Sequence, residues 1–231
     1  MRQLLTLTIL TSSFLSCRSK TETITAPSNF QLLIPDTSNN SRAHRDLVDI
    51  TYRSKIENKI GLSDLKRGAD SLEVRLWYDF SFSNSKELYL LKFQDTSCLL
   101  SYYRVYPRQI NYDDPNRNQD WDPFTDPIID SSISKSVLLT KDDFKQLHID
   151  SIWFLKSQSE LKISDSIGFT DCDSYIIEIA NKKRFKYLRY HCAIGYYNKT
   201  KLTEILSYLD FCGRITALSR RHNAIIPYNF D

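Results

Sequence analysis

The chain is poor in glycine and proline and has little excess of either charge. Its 231 residues include five Gly and seven Pro, which argues against collagen-like repeats and low-complexity disorder. The 31 Lys and Arg are nearly balanced by 28 Asp and Glu, so the net charge is +3. Nucleic-acid-binding domains normally carry a much stronger basic excess. The composition therefore predicts an ordinary globular domain without a nucleic-acid partner.

Recognised catalytic motifs are also lacking. The sequence contains no Gly-x-Ser-x-Gly, His-Glu-x-x-His, phosphate loop or Cys-x-x-Cys. His191 and Cys192 are adjacent, but neighbours on one strand point to opposite faces and cannot form a catalytic dyad. The four His are scattered and favour no zinc site. We therefore predict that the protein is not an enzyme and has no catalytic residues, metal or cofactor.

The N-terminus is typical of a secretory signal that ends at a cysteine. Met1-Arg2-Gln3 is a basic tip, residues 4–15 are mostly apolar, and Ser16 is small. Phe14-Leu15-Ser16-Cys17 resembles a bacterial lipobox, in which the Cys is acylated and becomes the mature N-terminus. The usual lipobox has Leu and a small residue where this chain has Phe14 and Leu15.

These features predict a signal peptide over residues 1–16 and acylation, with palmitate among the chains, at Cys17. The apolar run is too short for a membrane-spanning helix, so the protein would be attached to its membrane through the acylated Cys17. Arg18 rather than Asp follows the Cys, which favours the outer membrane of a Gram-negative bacterium. The alternative is an ordinary signal peptide that is cut nearby and leaves Cys17 as a free thiol.

A polar segment separates this signal from the rest of the chain. Residues 17–42 are predicted as the lipidated Cys and a flexible tether, and residues 43–231 as one domain. Phe30-Gln31-Leu32-Leu33-Ile34 is the apolar exception and is expected to dock on the domain as a strand.

Within residues 43–231 the strands group between helices. Hydrophobic spacing predicts a helix over 45–60 that ends at Gly61, a second from 141 to about 147 capped by Thr140, and a third through 202–209 that stops at Gly213. Residues 72–77, 88–93 and 98–106 read as an antiparallel meander, whereas 107–136 read as irregular. The fold class is therefore predicted as α+β, with an antiparallel sheet of about three meander strands and a later hairpin, packed with two to four helices.

The later hairpin spans residues 174–190. A three-residue turn at 181–183 would pair Ile179 with Phe185 and Glu178 with Lys186. The same register places Cys172 opposite Cys192, and a disulfide between them would close the hairpin base in an oxidising compartment. Two separate reduced thiols remain open as an alternative. Cys212 continues an apolar helix face and is predicted to be a buried free thiol.

One polar loop resembles the start of a calcium-binding loop, because oxygen-bearing residues recur at every second position. Pro115, Gln119 and Thr125 stand where such a loop expects other residues, so the alternative is an ordinary solvated loop. The candidate calcium ligands are Asp114, Asn116, Asn118, Asp120 and Asp122.

Two surface clusters are candidate binding features. A basic hairpin tip could meet an anionic lipid or polysaccharide surface, or simply keep a sheet edge soluble. A Tyr-rich surface could stack on sugars or contact a protein, or could be the half-buried face of a sheet. The basic residues are Lys182, Lys183, Arg184, Lys186 and Arg189; the aromatic residues are Tyr102, Tyr103, Tyr106, Trp121, Tyr196 and Tyr197.

Several short segments resemble a group of uncharacterised bacterial lipoprotein-type proteins. These segments are Glu73-Val74-Arg75-Leu76-Trp77, Tyr175-Ile176-Ile177-Glu178, Tyr187-Leu188-Arg189-Tyr190 and the helix over 201–212. The group often has Asp-Gly before the Tyr-containing strand and Pro after the next strand, where this chain has Asp171-Cys172-Asp173-Ser174 and Cys192. The resemblance implies a shared fold and an envelope location, and no activity.

The sequence therefore favours a lipid-anchored cell-envelope protein that binds or scaffolds without catalysis. Its partner would be an unknown envelope protein, with an immunity or inhibitor role as one version. The alternative is a glycan-binding or small-ligand-binding protein that uses the Tyr-rich surface. An envelope hydrolase comes third.

Overall fold

A mixed β-sheet forms the centre of the structure. The computed structural model describes residues 29–36, 41–81, 83–94, 97–114, 120–164 and 167–227. Within these residues the sheet has seven strands in the order β1-β7-β6-β2-β3-β4-β5, with β1 parallel to β7 and every other pair antiparallel. The strands are β1 Gln31–Leu33, β2 Glu73–Asp79, β3 Lys86–Gln94, β4 Ser97–Pro107, β5 Ile129–Leu139, β6 Ser174–Ala180 and β7 Arg184–His191.

Helices cover both faces of the sheet. Helix α1 packs its Ile50 and Ile56 against Trp77 and Phe185 on one face. Helix α4 packs on the opposite face among a larger set of buried side chains that includes Leu76 and Ile177. The α-helices in the described residues are α1 Ser41–Lys59, α2 Lys141–Lys145, α3 Ala193–Thr200 and α4 Thr203–Arg221, with short 3₁₀ turns at Leu65–Arg67, Ile149–Phe154 and Gln158–Glu160.

The α+β class is confirmed, but the sheet is larger than the sequence predicted and is partly parallel. The meander has a fourth strand, β5, in a region that was expected to be irregular. Eight of the eleven residues of β5 are exposed, because the strand pairs only with β4 at the edge of the sheet. A strand is predicted from apolar and polar residues that alternate. An exposed, Ser-rich strand lacks this alternation, so β5 was not predicted.

One of two predicted helix ends agrees with the structure and the other differs for a physical reason. Gly61 has φ +82° and follows the end of α1, as expected for a helix-terminating glycine. Gly213 does not end α4, because its position is exposed and Ile215 and Leu218 extend the buried face beyond it. An interior glycine costs only about 1 kcal/mol of helix propensity, which this burial outweighs.

The predicted hairpin register is wrong by one residue. Ala180 pairs with Phe185 and Glu178 pairs with Tyr187, around a two-residue turn at Lys182 and Lys183. The side-chain oxygen of Asn181 accepts from both Lys183 N and Arg184 N and stabilises this turn. Both faces of β6 and β7 are buried, so apolar patterning did not distinguish the two registers.

The structure joins Cys172 to Cys192 in a disulfide, with Cα atoms 5.0 Å apart. The ladder continues one step past the strands, since Cys192 N donates to Asp173 O. Cys192 then adopts φ 53°, and Cys172 lies one position beyond the ladder. Cys98 and Cys212 are buried free thiols.

The predicted tether lies mostly outside the described residues, and so does the signal segment. Of residues 17–42, the structure places 29–36 and the start of α1. β1 docks beside β7, where the apolar segment was expected to form a strand. No helix among the described residues is both long and apolar enough to cross a bilayer.

Candidate functional site

Polar side chains line one end of the sheet on the face that α1 covers. Strand register sets Asp79 opposite Lys86 on one side and opposite Ser174 on the other. Ser174 is in turn opposite His191. Residues directly opposite each other in antiparallel strands share a face, so these four form a row across β3, β2, β6 and β7.

Arg53 joins this row to helix α1. Its Nε lies 2.7 Å from Asp49 Oδ2, and its guanidinium also donates to both carboxylate oxygens of Asp79. Lys86 Nζ lies 3.1 Å from Asp79 Oδ1, and Tyr187 donates its hydroxyl to Asp49 at 2.5 Å. Burial by itself would raise the pKa of Asp79, but Arg53 and Lys86 hold that pKa well below its ordinary value. Arg53, Asp49, Asp79 and Lys86 therefore form a fixed network of charged groups.

A groove of about 550 Å³ opens beside this network. Small-ligand sites typically occupy roughly 300–1,000 Å³, so the volume suits a small molecule. Helix α1 forms one wall, and the segments that follow β2 and β4 form the other. The lining residues are His44, Arg45, Val48, Asp49, Tyr52, Asp79, Ser83, Asn84, Lys86, Arg108, Gln109, Pro123, Phe124 and Arg189.

The groove has an aromatic wall. The rings of Tyr52 and Phe124 lie 5.6 Å apart between centroids, and Lys86 Nζ lies 5.5 Å from the centroid of Tyr52. Phe124 is 65% exposed and Val48 is 63% exposed, so apolar surface faces solvent here. Burial raises the pKa of Tyr52 to about 12, which keeps its hydroxyl protonated at neutral pH.

The loop that carries Phe124 is held against α1. Lys59 Nζ lies 2.9 Å from Asp126 Oδ1, and Lys55 donates to the carbonyl of Thr125. Trp121 Nε1 donates to Asp126 O, and Asp122 Oδ1 accepts from Phe124 N. These contacts position the aromatic wall.

The groove carries an excess of positive charge. Arg45 is exposed and makes no salt bridge with a described residue. Arg189 Nη1 lies 3.9 Å from Asp46 Oδ1, and the buried Arg189 Nε has no hydrogen-bond partner in the described part of the chain. Arg53 and Lys86 together neutralise Asp49 and Asp79, so Arg45 remains available to a ligand, and Arg189 is only loosely paired with Asp46.

A smaller cavity of about 150 Å³ adjoins the groove and shares Arg45 and Arg189 with it. Asp46 lies buried in its wall and accepts from the Ser159 hydroxyl at 2.6 Å. Burial raises the pKa of Asp46 to about 6, although the Ser159 hydrogen bond and Arg189 favour the charged form. Asp46, which lines this cavity together with Arg45 and Arg189, is therefore expected to gain or lose its proton near pH 6.

This pKa predicts a pH dependence of stability. The folded state holds the Asp46 proton up to about pH 6, whereas the unfolded chain releases it near the ordinary value of 3.8. The preference of the folded state for protonated Asp46 contributes fully to the free energy of unfolding below about pH 4. This contribution, roughly 2–3 kcal/mol, is lost as the pH rises through about 6. Asp46→Asn removes this loss. In urea unfolding, we expect the variant to gain stability over the wild type between pH 4.5 and 7.5; a pH-independent difference would contradict the assignment.

Ser174 and His191 form a hydroxyl–imidazole contact in the same row. Ser174 Oγ lies 3.1 Å from His191 Nδ1. Burial and the nearby Arg189 and Arg45 lower the pKa of His191, so the ring is neutral at neutral pH. Ser174 is only 7% exposed, and a serine nucleophile must reach its substrate. We interpret this contact as structural.

Of the site residues predicted from sequence, Cys172 and Cys192 are joined in the disulfide described above. Cys17, Asn116 and Asn118 lie outside the described residues. Asp114, Asp120 and Asp122 are described and exposed, and the described residues contain no group of three or more His, Cys, Asp or Glu that could hold a metal ion. The calcium hypothesis gains no support here.

The basic hairpin residues are also dispersed. Lys182 and Lys183 are exposed in the turn, and Arg184 stacks 3.9 Å from the centroid of Trp153. Lys186 lies on the same face of β7 as Arg184, is buried, and donates to Trp153 O at 2.7 Å. Arg189 alone among them lines the groove.

The Tyr-rich surface does not form a single face. Tyr102 is buried and donates its hydroxyl to Glu87 on the α4 side of the sheet. Tyr103 points to the other face because it is the next residue on β4. Tyr196 is buried and donates to Ile167 O.

The aromatic groove wall was missed because its residues come from distant parts of the chain. A signal did exist within α1, where Arg45, Val48, Asp49 and Tyr52 follow helical spacing and share one face. The same spacing is equally typical of a solvent-exposed helix surface. Only the loop that carries Phe124 turns it into a groove.

Compared with protein-family models, curated proteins and solved structures, the chain matches none of them. The resemblance to lipoprotein-type proteins thus stays a prediction. The groove is therefore the feature from which a function can be inferred.

Proposed function

We propose that this chain is a lipid-anchored cell-envelope protein that binds a small ligand in the groove and does not transform it. The envelope location is supported by the signal-like residues 1–16 and by the lipobox-like pattern that ends at Cys17. The binding role is supported by the groove at the end of β2 and β3.

The observation that carries the binding role is a pre-formed groove whose polar groups are already ordered. Arg53 holds Asp49 and Asp79, and Lys86 pairs with Asp79, so binding need not order these side chains. Ordering of interface side chains is a major cost of binding, and a pre-arranged site avoids it. Exposed apolar surface at Val48 and Phe124 supplies area that a ligand would cover.

The arrangement favours binding over catalysis. The carboxylates of the groove, Asp49 and Asp79, are held in ion pairs, and the serine beside a histidine is buried. Recognition of an envelope protein, predicted from sequence as the leading role, stays a prediction.

The location is tested by metabolic labelling with palmitate. Label should enter the wild-type polypeptide and should not enter Cys17→Ser, because the predicted lipobox is acylated on the Cys17 thiol. Equal labelling of both, or none in the wild type, would overturn the anchor.

The binding role is tested on the full chain purified in detergent. We would use saturation-transfer NMR with a panel of neutral sugars, acidic sugars, nucleotides and aromatic acids. At least one compound should bind the wild type and lose its signal in Val48→Glu, which places a bulky charge in the groove. Leu206→Glu is the matched control, since Leu206 is a partly exposed apolar residue on α4, 45% exposed. A panel with no bound compound, or equal signals in both variants, would contradict the role.

A further inference from the structure

We infer that the groove binds an acidic saccharide, with a sugar ring against Tyr52 and Phe124 and its carboxylate at Arg45 and Arg189. This inference rests on the proposed ligand-binding role and names the class of ligand. Three features of the groove carry it.

The first feature is positive charge at one end that is only partly neutralised. Arg45 is exposed and makes no salt bridge with a described residue. Arg189 Nη1 is 3.9 Å from the Asp46 carboxylate, which is too long for a hydrogen bond. Both arginines line the groove and the adjoining cavity, so they meet where the two spaces join. Guanidinium groups recognise carboxylates through paired hydrogen bonds, which makes this junction a carboxylate site.

The second feature is the apolar wall. The ring of Tyr52 and the exposed ring of Phe124 lie side by side, tilted by 51°. A tilted pair presents two surfaces to the interior of the groove, which suits the non-planar, C–H-bearing face of a sugar ring. Aromatic rings are amphipathic contact surfaces that cost little conformational entropy to use.

The third feature is the set of polar groups that line the same groove. Asn84 and Gln109 carry amides that can both donate and accept, and Asp49 is a charged acceptor held by Arg53. A sugar ring presents hydroxyls around its edge, and each hydroxyl can donate and accept. A saccharide can therefore use the polar rim, the aromatic wall and the arginine pair together.

The test compares an acidic probe with a neutral one on the full chain in detergent. Isothermal titration calorimetry would use trigalacturonate and the uncharged trisaccharide maltotriose. Trigalacturonate should bind at least about tenfold more tightly, since hydrogen bonds to a charged group are roughly twice as strong as neutral ones. Its affinity should fall in about 1 M sodium chloride, where screening shortens the reach of exposed charges to about 3 Å.

Two variants distinguish the contribution of Arg45 to binding from that of the aromatic wall. Arg45→Gln should weaken trigalacturonate about tenfold and leave any maltotriose binding unchanged, because only the charged probe uses the guanidinium. Phe124→Ala should weaken both probes. Lys162→Gln, an exposed cation outside the groove residues, is the control for loss of charge alone and should change neither.

The outcomes distinguish the ligand class from the binding role. Equal affinity for both trisaccharides would overturn the acidic class and leave ligand binding standing. Failure of trigalacturonate to bind would overturn the saccharide assignment, while the NMR panel decides the binding role independently. If Lys162→Gln weakens trigalacturonate binding as much as Arg45→Gln does, the loss reflects the net charge of the protein. That result would also overturn the assignment of Arg45 to the carboxylate site.

Discussion

Replacing Arg75 with Met should lower the free energy of unfolding by about 3–5 kcal/mol, the cost of removing one member of a buried ionic cluster. Arg75 is fully buried on β2. Its Nη1 lies 2.6 Å from Glu57 Oε2, and its Nε and Nη2 donate to Glu73. The variant would leave these carboxylates buried without their guanidinium.

The neighbours of Arg75 explain why the loss should be large. Glu57 also accepts from Trp77 Nε1 at 3.0 Å, so the cluster ties α1 to the sheet. Burial and Glu57 raise the pKa of Glu178 well above its ordinary value, which shows that the cluster already excludes a further negative charge. In Arg75→Met the same repulsion acts on Glu57 and Glu73.

Urea unfolding of wild type and variant measures the effect. Arg108→Met is the matched control, because Arg108 pairs with Asp130 at the surface, where its side chain is 53% exposed. Exposed pairs contribute about 0–1 kcal/mol, so the control should lose no more than that. The loss in Arg75→Met should shrink as the pH falls, because protonation removes the uncompensated charges. Equal losses in the two variants would show that the cluster does not stabilise the fold.

Removing the disulfide should cost about 3 kcal/mol of unfolding free energy. The bridge links Cys172 and Cys192 across a sequence separation of 20 residues. In the chain-entropy model, a closed loop of this size restricts the unfolded chain by roughly that amount. The double variant Cys172→Ala/Cys192→Ala should therefore unfold at a lower urea concentration, with an equal or steeper slope because its unfolded chain is no longer restricted.

A reductant supplies the control for the disulfide experiment. Reduction should bring the wild-type midpoint to that of the double variant and should leave the variant itself unchanged. Cys98 and Cys212 are buried free thiols, so they should not contribute to the difference. Hydrogen exchange should report the local effect, with faster exchange at Ser174 and His191 at the hairpin base and little change in α1. A variant that responds to the reductant as the wild type does would contradict the assignment of the bridge.

Some parts of the fold follow from local chemistry and could be predicted from the sequence. The α+β class, the meander through β2, β3 and β4, the docking of the segment at Leu32 and the helix that ends at Gly61 all depend on periodicity or on single capping residues. The pairing of Cys172 with Cys192 was reached from an incorrect register. The predicted pairing is nevertheless correct, because the backbone leaves the β-ladder at Cys192, at the hairpin base.

The candidate site was decided by tertiary structure. Arg53, Asp79 and Lys86 are separated along the chain and meet only because strand order places β2 and β3 under α1. Tyr52 becomes a groove wall only when the loop of Phe124 docks beside it. The sequence alone determined the helices α1, α2 and α4 and the central strands, but not α3, because short-range periodicity and turn chemistry are local. The hairpin register, the edge strand β5 and the charged groove depend on burial of both sheet faces and on long-range pairing, which no local pattern encodes.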